Sequence, residues 1–376
     1  MRNTLKRDVV FVLGTDPQDG VMQYANQISI RFKKHERSSQ IECKAVNFSK
    51  LWCGVKCLFD VFRHGKLLHM QYPMIGSWGK SIWPGIVPAV MRCALALKRP
   101  KLVLTLHEWG DMHLLRKVSI FPLLMMADEI IFVSNMEYKK MNSTFTGIFC
   151  LNRKKQRVIP IGINLEIPSL DVLTVKRMRS ELLDSTDESD AVIIGYFGFM
   201  YASKKPHVIV DVVEALVHMG LPAKALFIGD FTKHATKDKI DFLRYIQQRD
   251  MDAYVNITGY INDEVKVSEM MRACNVVILP FVGGLTARRG SFWYALALGV
   301  PLISTQPSEA GEFANGFLEG LASENVLRLV REPVDVPAVA KMVAAEFSSY
   351  RAPKCTQRTE PSWVDIVEEH ISLYRE

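Results

Sequence analysis

The chain is predicted to belong to the α/β class, with two Rossmann-like, doubly wound domains in succession. Short apolar, β-branched runs alternate with longer helical patterns along its 376 residues. Such runs are typical of parallel strands that helices cover on both faces. Two series of them, in a chain long enough for two cores, favour two domains over one barrel.

The first series of expected strands covers residues 9–13, 41–46, 67–71, 102–106, 129–133 and 157–160, and the second covers 192–197, 225–228, 255–257, 276–279 and 302–304. The boundary is expected between Gly162 and Asp190, which gives domains over 1–165 and 190–361. Residues 362–376 form an amphipathic pattern that predicts a final helix, with Trp363 and Tyr374 on its apolar side.

Composition indicates a globular protein with an uneven charge. The chain is 48% hydrophobic and 23% charged. Up to Leu165 it holds 25 Lys and Arg against 11 Asp and Glu, and the remainder holds 22 against 29. The basic half indicates either a solvated, Lys-rich surface or an anionic partner such as a phosphate or an anionic membrane face.

The cysteines and the apolar runs bear on the compartment. The seven scattered cysteines are expected to be free thiols, and the pair Cys53 and Cys57 lacks the second pair that a zinc site needs. The run 9–13 is too short for a signal peptide, and no run approaches the roughly 18 residues of a membrane span. We therefore expect a cytoplasmic protein, or one that rests on a membrane without crossing it.

Ligands of doubly wound sheets bind beyond the carboxyl ends of the strands, so two such domains are expected to hold one ligand each across a cleft. The turn after the first strand contains Gly20 at a helix start, where amides can approach a phosphate; the alternative is a plain turn glycine. His107 follows the fourth strand and can bind a sugar hydroxyl or exchange a proton, unless it is only structural. His107, Glu108, Asp111 and His113 match no common metal-ligand spacing.

The second half carries the most informative turns. Gly198 and Lys204 follow its first strand, where a Lys before a helix can bind a diphosphate. After the strand 276–279, Arg288 and Arg289 precede Gly290 and Ser291 at the start of an apolar helix. Two arginines beside the positive end of a helix dipole are unfavourable unless an anion completes the site, and only one of them is expected to meet it.

Further segments accompany these turns, at residues 127–134, 158–164, 195–204, 259–260 and 295–301. In this order they resemble the family 4 glycosyltransferases, which have the GT-B fold, over essentially the whole chain. The resemblance implies a nucleotide sugar in the C-terminal domain, an acceptor on the N-terminal domain, sugar transfer with retention and no required metal or other cofactor. It places His107 near the transferred sugar and Tyr260 near the base.

The chain departs from the family pattern at three positions. Tyr294 and Thr286 stand where glutamates usually hold the ribose and the sugar, and Phe199 replaces a phosphate-binding arginine. Lys204 is kept, and Arg288 or Arg289 can supply the lost charge. The turn resembles a variant branch of the family with the sequence Arg-Arg-Gly-Ser.

These observations predict a glycosyltransferase of surface polysaccharide synthesis, with a saccharide or a polyprenyl-diphosphate-linked acceptor and no nucleic acid partner. His107, Lys204 and Arg288 are the expected catalytic residues. Tyr72, Trp78 and the run 86–97 form either an acceptor-facing or interfacial surface, or a part of the core. The alternatives are a non-catalytic sugar-nucleotide-binding subunit and a sugar-nucleotide epimerase.

Overall fold

The chain divides into two compact units, the first made of Met1–Asn164 and Pro361–Glu376 and the second of Leu165–Glu360. The structure is a computed structural model. It describes residues 7–14, 16, 20–35, 41–46, 48, 51–79, 81–94, 100–110, 112–144, 155–163, 165, 167–183, 191–201, 204–232, 235–313, 316–351 and 362–375. Cys150, Cys355, Asp111 and Asp190, which figured in the sequence interpretation, lie outside the described residues.

The N-terminal unit has a six-stranded parallel sheet in the order β2-β1-β3-β4-β5-β6. Its strands are β1 (Arg7–Leu13), β2 (Ile41–Ala45), β3 (Gly65–Tyr72), β4 (Lys101–Leu106), β5 (Glu129–Phe132) and β6 (Lys155–Val158). Its helices are α1 (Gly20–His35), α2 (Leu51–His64), α3 (Ile75–Trp78), α4 (Trp83–Ala94), α5 (Leu114–Met126), α6 (Asn135–Asn142) and α14 (Trp363–Arg375).

Two apolar clusters hold this unit together. One packs α2, α4 and α5 against the sheet, and the other packs α1 and α14 against it. In α14, Ile366, Val367 and Ile371 are buried and Trp363 and Tyr374 pack beside them, as the amphipathic pattern predicts. The Trp363 indole N–H donates to the carbonyl of Ile163 at 2.6 Å.

The C-terminal unit has a second six-stranded parallel sheet, in the order β12-β11-β10-β7-β8-β9. Its strands are β7 (Val192–Phe197), β8 (Ala223–Ile228), β9 (Val255–Ile257), β10 (Val276–Leu279), β11 (Leu302–Thr305) and β12 (Leu327–Val330). Its helices are α7 (Val172–Leu183), α8 (His207–His218), α9 (Thr236–Gln247), α10 (Glu264–Ala273), α11 (Gly290–Ala297), α12 (Phe317–Ser323) and α13 (Val336–Glu346).

The α/β prediction of two Rossmann-like parallel sheets is confirmed. All eleven expected strands are present, with shifted ends. The edge strand β12 was missed because only Leu327 in it is fully buried, so its sequence lacks a continuous apolar run. The run 86–97 falls largely within α4, whose residues Pro84, Gly85, Val87, Pro88, Ala89, Met91 and Arg92 are buried. Of the two interpretations of that run, the core one describes its inner face.

Candidate functional site

Two loops of the C-terminal unit meet at one edge of its sheet. β7 and β10 are neighbours, with Ile194 beside Val276, and the strand order reverses between them. A crevice forms at such a switch point beyond the carboxyl ends of the strands. The loop after β7 carries Gly198 and Lys204, and the loop after β10 carries the turn from Arg288 to Ser291. The topology therefore brings the two predicted halves of the site together.

The ring of Phe281 shows how close the cationic groups are. The Lys204 ammonium lies 4.5 Å from the ring centroid, and the Arg289 guanidinium lies 4.7 Å from it. Arg289 also acts on Tyr196 of β7: burial raises the pKa of that hydroxyl, and the charge of Arg289 opposes the rise. Two cations at one edge of the sheet, within 5 Å of one ring, form a site for an anion.

Glu332 ties the two loops together. Its carboxylate accepts a hydrogen bond from the Gly283 amide at 2.8 Å and forms an ion pair with Lys205 at 2.9 Å. The bond from Lys205 is the main reason that the pKa of Glu332 lies below its usual value. Lys205 thus has a structural partner, which leaves Lys204 as the lysine of this loop at the site.

The turn before α11 is held on both sides of one residue. The Ala287 amide donates to Glu312 at 2.7 Å, and the Ala287 carbonyl accepts from the Trp293 indole at 2.6 Å. The Arg289 amide donates to the Thr286 carbonyl at 3.1 Å and closes the turn. Glu312 is buried, so this arrangement fixes the backbone from which both arginines project.

The start of α11 adds backbone donors. The first intrahelical bonds are those of Phe292 and Trp293, both to the carbonyl of Arg289. The amides of Gly290 and Ser291 come before these bonds and lie at the positive end of the helix dipole. A side chain at Gly290 would meet nothing within 4 Å, so a ligand has room to approach the backbone here.

Two further parts of this edge match the sequence expectations in position. Gly198 has a φ of +120°, which a residue with a side chain rarely adopts, so the turn after β7 requires glycine. Tyr260 is 47% exposed, and its ring is parallel to that of Phe199 with centroids 6.2 Å apart. An exposed aromatic pair of this kind offers a stacking surface.

The residues that replace the family's glutamates are both buried. The Tyr294 hydroxyl hydrogen-bonds with that of Ser268 at 2.6 Å, and its ring contacts Phe197 with centroids 5.2 Å apart. The Thr286 hydroxyl has no hydrogen-bond partner within the part of the chain that the structure describes. A buried, unpaired hydroxyl is costly, so this one is suited to a bound ligand.

In the N-terminal unit, His107 ends a buried chain of polar groups. Its Nε2 lies 2.7 Å from Gln71 Oε1, the Gln71 amide nitrogen lies 3.1 Å from His69 Nε2, and His69 Nδ1 lies 2.5 Å from the Tyr374 hydroxyl. Thr105 contacts His69 Nε2 at 2.7 Å.

Burial, followed by His370 and His107, holds the pKa of His69 well below its usual value, so this ring is neutral at neutral pH. A neutral His69 accepts from Gln71 at Nε2 and donates from Nδ1 to Tyr374. Gln71 then accepts the Nε2 proton of His107, which fixes the tautomer of a neutral His107.

The remaining sequence candidates lie nearby but differ in exposure. Gly20 is exposed at the start of α1. Ser77 of α3 accepts from the Asp16 amide at 3.0 Å, which joins the loops after β1 and β3. Tyr72 and Trp78 are buried in the core, and the Trp78 indole donates to the Val46 carbonyl. Neither ring presents a face for stacking, so the expectation that they contact an acceptor is not carried forward.

Sequence reasoning missed Gln71, Phe281, Glu312 and Glu332. A signal existed for Gln71, because His69 and Gln71 are polar residues two positions apart in an apolar strand and therefore share one face. The partners of the other three lie far away in sequence or on another strand, and no local pattern reveals them.

The described residues contain no group of three or more His, Cys, Asp or Glu placed to hold a metal ion. Nor does any helix among them have the length and apolarity needed to cross a membrane.

Residues 191–344 match the family model of glycosyl transferases group 1. Solved structures with a similar fold include HepE of Anabaena in complex with UDP and glucose, at 14% identity and a TM-score of 0.69 over 98% of this chain and 100% of that one. Sucrose-phosphate synthase of Thermosynechococcus elongatus has 16% identity and a TM-score of 0.68 over 98% of each chain. A glycosyltransferase of Rickettsia africae has 14% identity and a TM-score of 0.68 over the same shares.

No curated protein sequence matches the chain significantly. The chain therefore has the GT-B fold of these enzymes, and its second unit matches the family of group 1 glycosyl transferases.

Proposed function

We propose that the protein is a glycosyltransferase that moves a sugar, with retention, from a nucleoside-diphosphate sugar to a saccharide or lipid-linked acceptor. The observation that carries the proposal is the position of Lys204 and Arg289 on one ring, at the switch point of the C-terminal sheet. The match to group 1 glycosyl transferases and the UDP bound to HepE support a nucleotide-sugar donor.

In this proposal the diphosphate binds to Lys204, Arg289 and the amides of Gly290 and Ser291. We assign it to Arg289 rather than to Arg288 because Arg289 shares the Phe281 ring with Lys204. The bond between the sugar carbon and the diphosphate oxygen breaks, and the leaving group gains negative charge that these donors stabilise. The acceptor oxygen bonds to the same carbon, and its proton passes to the leaving diphosphate.

The rest of the site selects the donor. The base stacks near Tyr260, and the Thr286 hydroxyl is available to the donor sugar. Tyr294 offers no carboxylate to the ribose, because its neutral hydroxyl is bonded to Ser268. His107, with its tautomer fixed by Gln71, is proposed to act on the sugar from the N-terminal unit.

The proposed setting is polysaccharide synthesis at the cytoplasmic side of a membrane, with a polyprenyl-diphosphate or saccharide acceptor. The basic charge of the chain up to Leu165, 25 Lys and Arg against 11 Asp and Glu, supports an anionic acceptor or surface.

A two-stage experiment tests the function. Thermal shifts with UDP, GDP, ADP and dTDP and their common sugars identify the donor, because a ligand of the folded state raises the melting temperature. Release of the nucleoside diphosphate is then measured for the wild type and for Lys204→Ala. The proposal requires release that the substitution lowers at least tenfold. Binding without release would indicate a binding subunit, and an isomerised donor an epimerase; either outcome refutes sugar transfer.

A further inference from the structure

The outward face of α5 is apolar although it faces solvent. Leu114, Leu115, Val118, Phe121 and Met125 are between 36% and 71% exposed. Their spacing follows the helical repeat, so they form one stripe along the helix. The opposite side, with Ile120, Leu123 and Leu124, is buried in the core. The exposed stripe is therefore not needed for the packing of α5 within its own unit.

Two neighbouring helices add to this stripe. α4 packs against both α5 and α2, so the three helices form one layer on the sheet. Val90 of α4 is exposed, and on α2 Phe59 is exposed and Trp52 is 80% exposed. We call these eight residues the apolar helix face: Trp52, Phe59, Val90, Leu114, Leu115, Val118, Phe121 and Met125. Contiguous exposed apolar surface of this kind is rare on a soluble monomer and marks a contact site.

The charges within the layer are almost entirely positive. Exposed Lys56 lies on α2 between Trp52 and Phe59, at helical spacing from both. Arg116 and Lys117 lie within the stripe of α5, and neither α4 nor α5 contains an acidic residue. Asp60 is the one acidic residue in the sequence of the three helices.

We propose that the apolar helix face docks the N-terminal unit in the plane of an anionic lipid bilayer, with the apolar side chains in the acyl boundary and the cations at the headgroups. A protein partner or a second copy would not require this basic bias, whereas apolar side chains interspersed with Lys and Arg are the pattern of interfacial helices. The inference deepens the proposed function and rests on it only in placing the enzyme beside a lipid-linked acceptor. The helices lie on the surface and do not span it.

Vesicle cosedimentation of the full chain, without donor or acceptor, tests the docking. We expect binding to phosphatidylcholine vesicles that contain about 30% phosphatidylglycerol, and at least tenfold weaker binding to pure phosphatidylcholine. About 0.5 M NaCl should also weaken binding, because headgroup attraction is screened within a few ångströms. Because no sugar transfer is measured, failure here leaves the proposed function intact, and failure of transfer leaves this test intact.

Matched variants locate the surface. Leu115→Glu with Val118→Glu should reduce binding to the anionic vesicles about tenfold or more. Val172→Glu with Leu173→Glu, at two exposed positions of α7 in the C-terminal unit, should leave it unchanged. All four positions are exposed, so both double variants should fold, which circular dichroism checks. Equal binding by the two double variants, or no binding by the wild type, overturns the proposal.

Trp52 gives a second, independent reading. Brominated lipids quench a tryptophan that enters the acyl boundary, and Trp78, Trp109 and Trp293 are buried in the protein. We expect quenching that Trp52→Phe removes in large part. Quenching that survives this substitution, or sedimentation as a dimer that the α5 variant converts to monomer without any vesicle binding, assigns the face to another use and refutes lipid docking.

Discussion

The buried histidine pair beneath His107 predicts how the stability of the N-terminal unit depends on pH. His370 is fully buried on α14, its Nδ1 lies 2.7 Å from the carbonyl of Ile366, and its ring centroid lies 5.7 Å from that of His69. Burial lowers the pKa of His370 to about 4, and the backbone bond opposes this only in part. In the unfolded chain a histidine has a pKa of about 6.5.

The sign follows from linkage. The folded state keeps His370 neutral, so below a pH of about 6.5 the unfolded state binds the extra proton and stability falls as the pH falls. The loss begins at the unfolded pKa and ends near the folded pKa of about 4. It amounts to about 2 kcal/mol at pH 5 and about 3 kcal/mol below pH 4. His69 contributes with the same sign, because its pKa is also lowered.

His370→Met removes this titration with a strong helix former of similar length. Urea unfolding, followed by hydrogen exchange in α14 peptides, gives the stability of this unit at pH 7.5 and pH 5. We expect the wild type to lose about 2 kcal/mol more than the variant on this change. His218→Gln, at an exposed position of α8, is the control and should match the wild type. If His370→Met loses as much stability as the wild type, the ring is not held neutral by burial and the reasoning fails.

Three further predictions concern the site. Gln71→Leu removes the partner of His107 and should lower the turnover number about tenfold with nucleotide affinity unchanged, as nucleoside-diphosphate release and calorimetry would show; a change in affinity alone would contradict the role of Gln71. Glu312→Ala releases the Ala287 amide and should weaken nucleotide binding by about 1–2 kcal/mol in calorimetry, whereas exposed Glu319→Ala should not. Gly198→Ala should destabilise the C-terminal unit by about 1–3 kcal/mol in urea unfolding, because its φ is +120°, and Gly320→Ala within α12 should not.

The sequence predicted most of the fold because a parallel sheet leaves a simple signature. Strands such as β7 and β10 are buried along nearly their whole length and are read as continuous apolar runs. β12 lies at the edge of its sheet and is mostly half-buried, so the same rule does not detect it.

The candidate site could be predicted in part for a similar reason. Lys204 and the arginine turn follow strands, and ligand-binding groups of doubly wound sheets collect at the strand ends. The choice between Arg288 and Arg289 could not be made from sequence, because it depends on which side chain reaches Phe281. The interpretation of Tyr72 and Trp78 failed to anticipate that the core of α4 and α5 covers both rings.

Interfacial character was expected from the run 86–97, yet the exposed apolar residues lie chiefly on α5. Apolar composition alone does not tell which face of a helix is buried. In α5 both faces are apolar, and only the packing shows that Leu115 and Val118 point away from the core.

The central claim is that Lys204 and Arg289 hold the diphosphate of the donor. Calorimetry with the nucleoside diphosphate that ranks first in the thermal screen tests it most directly, on the wild type and on Lys204→Ala, Arg289→Ala and Arg288→Ala. The account predicts losses of about 1.5–3 kcal/mol, roughly 10- to 150-fold, for Lys204→Ala and for Arg289→Ala, and less than about threefold for Arg288→Ala. Unchanged affinity in Arg289→Ala, or a loss in Arg288→Ala as large as that in Lys204→Ala, would contradict it.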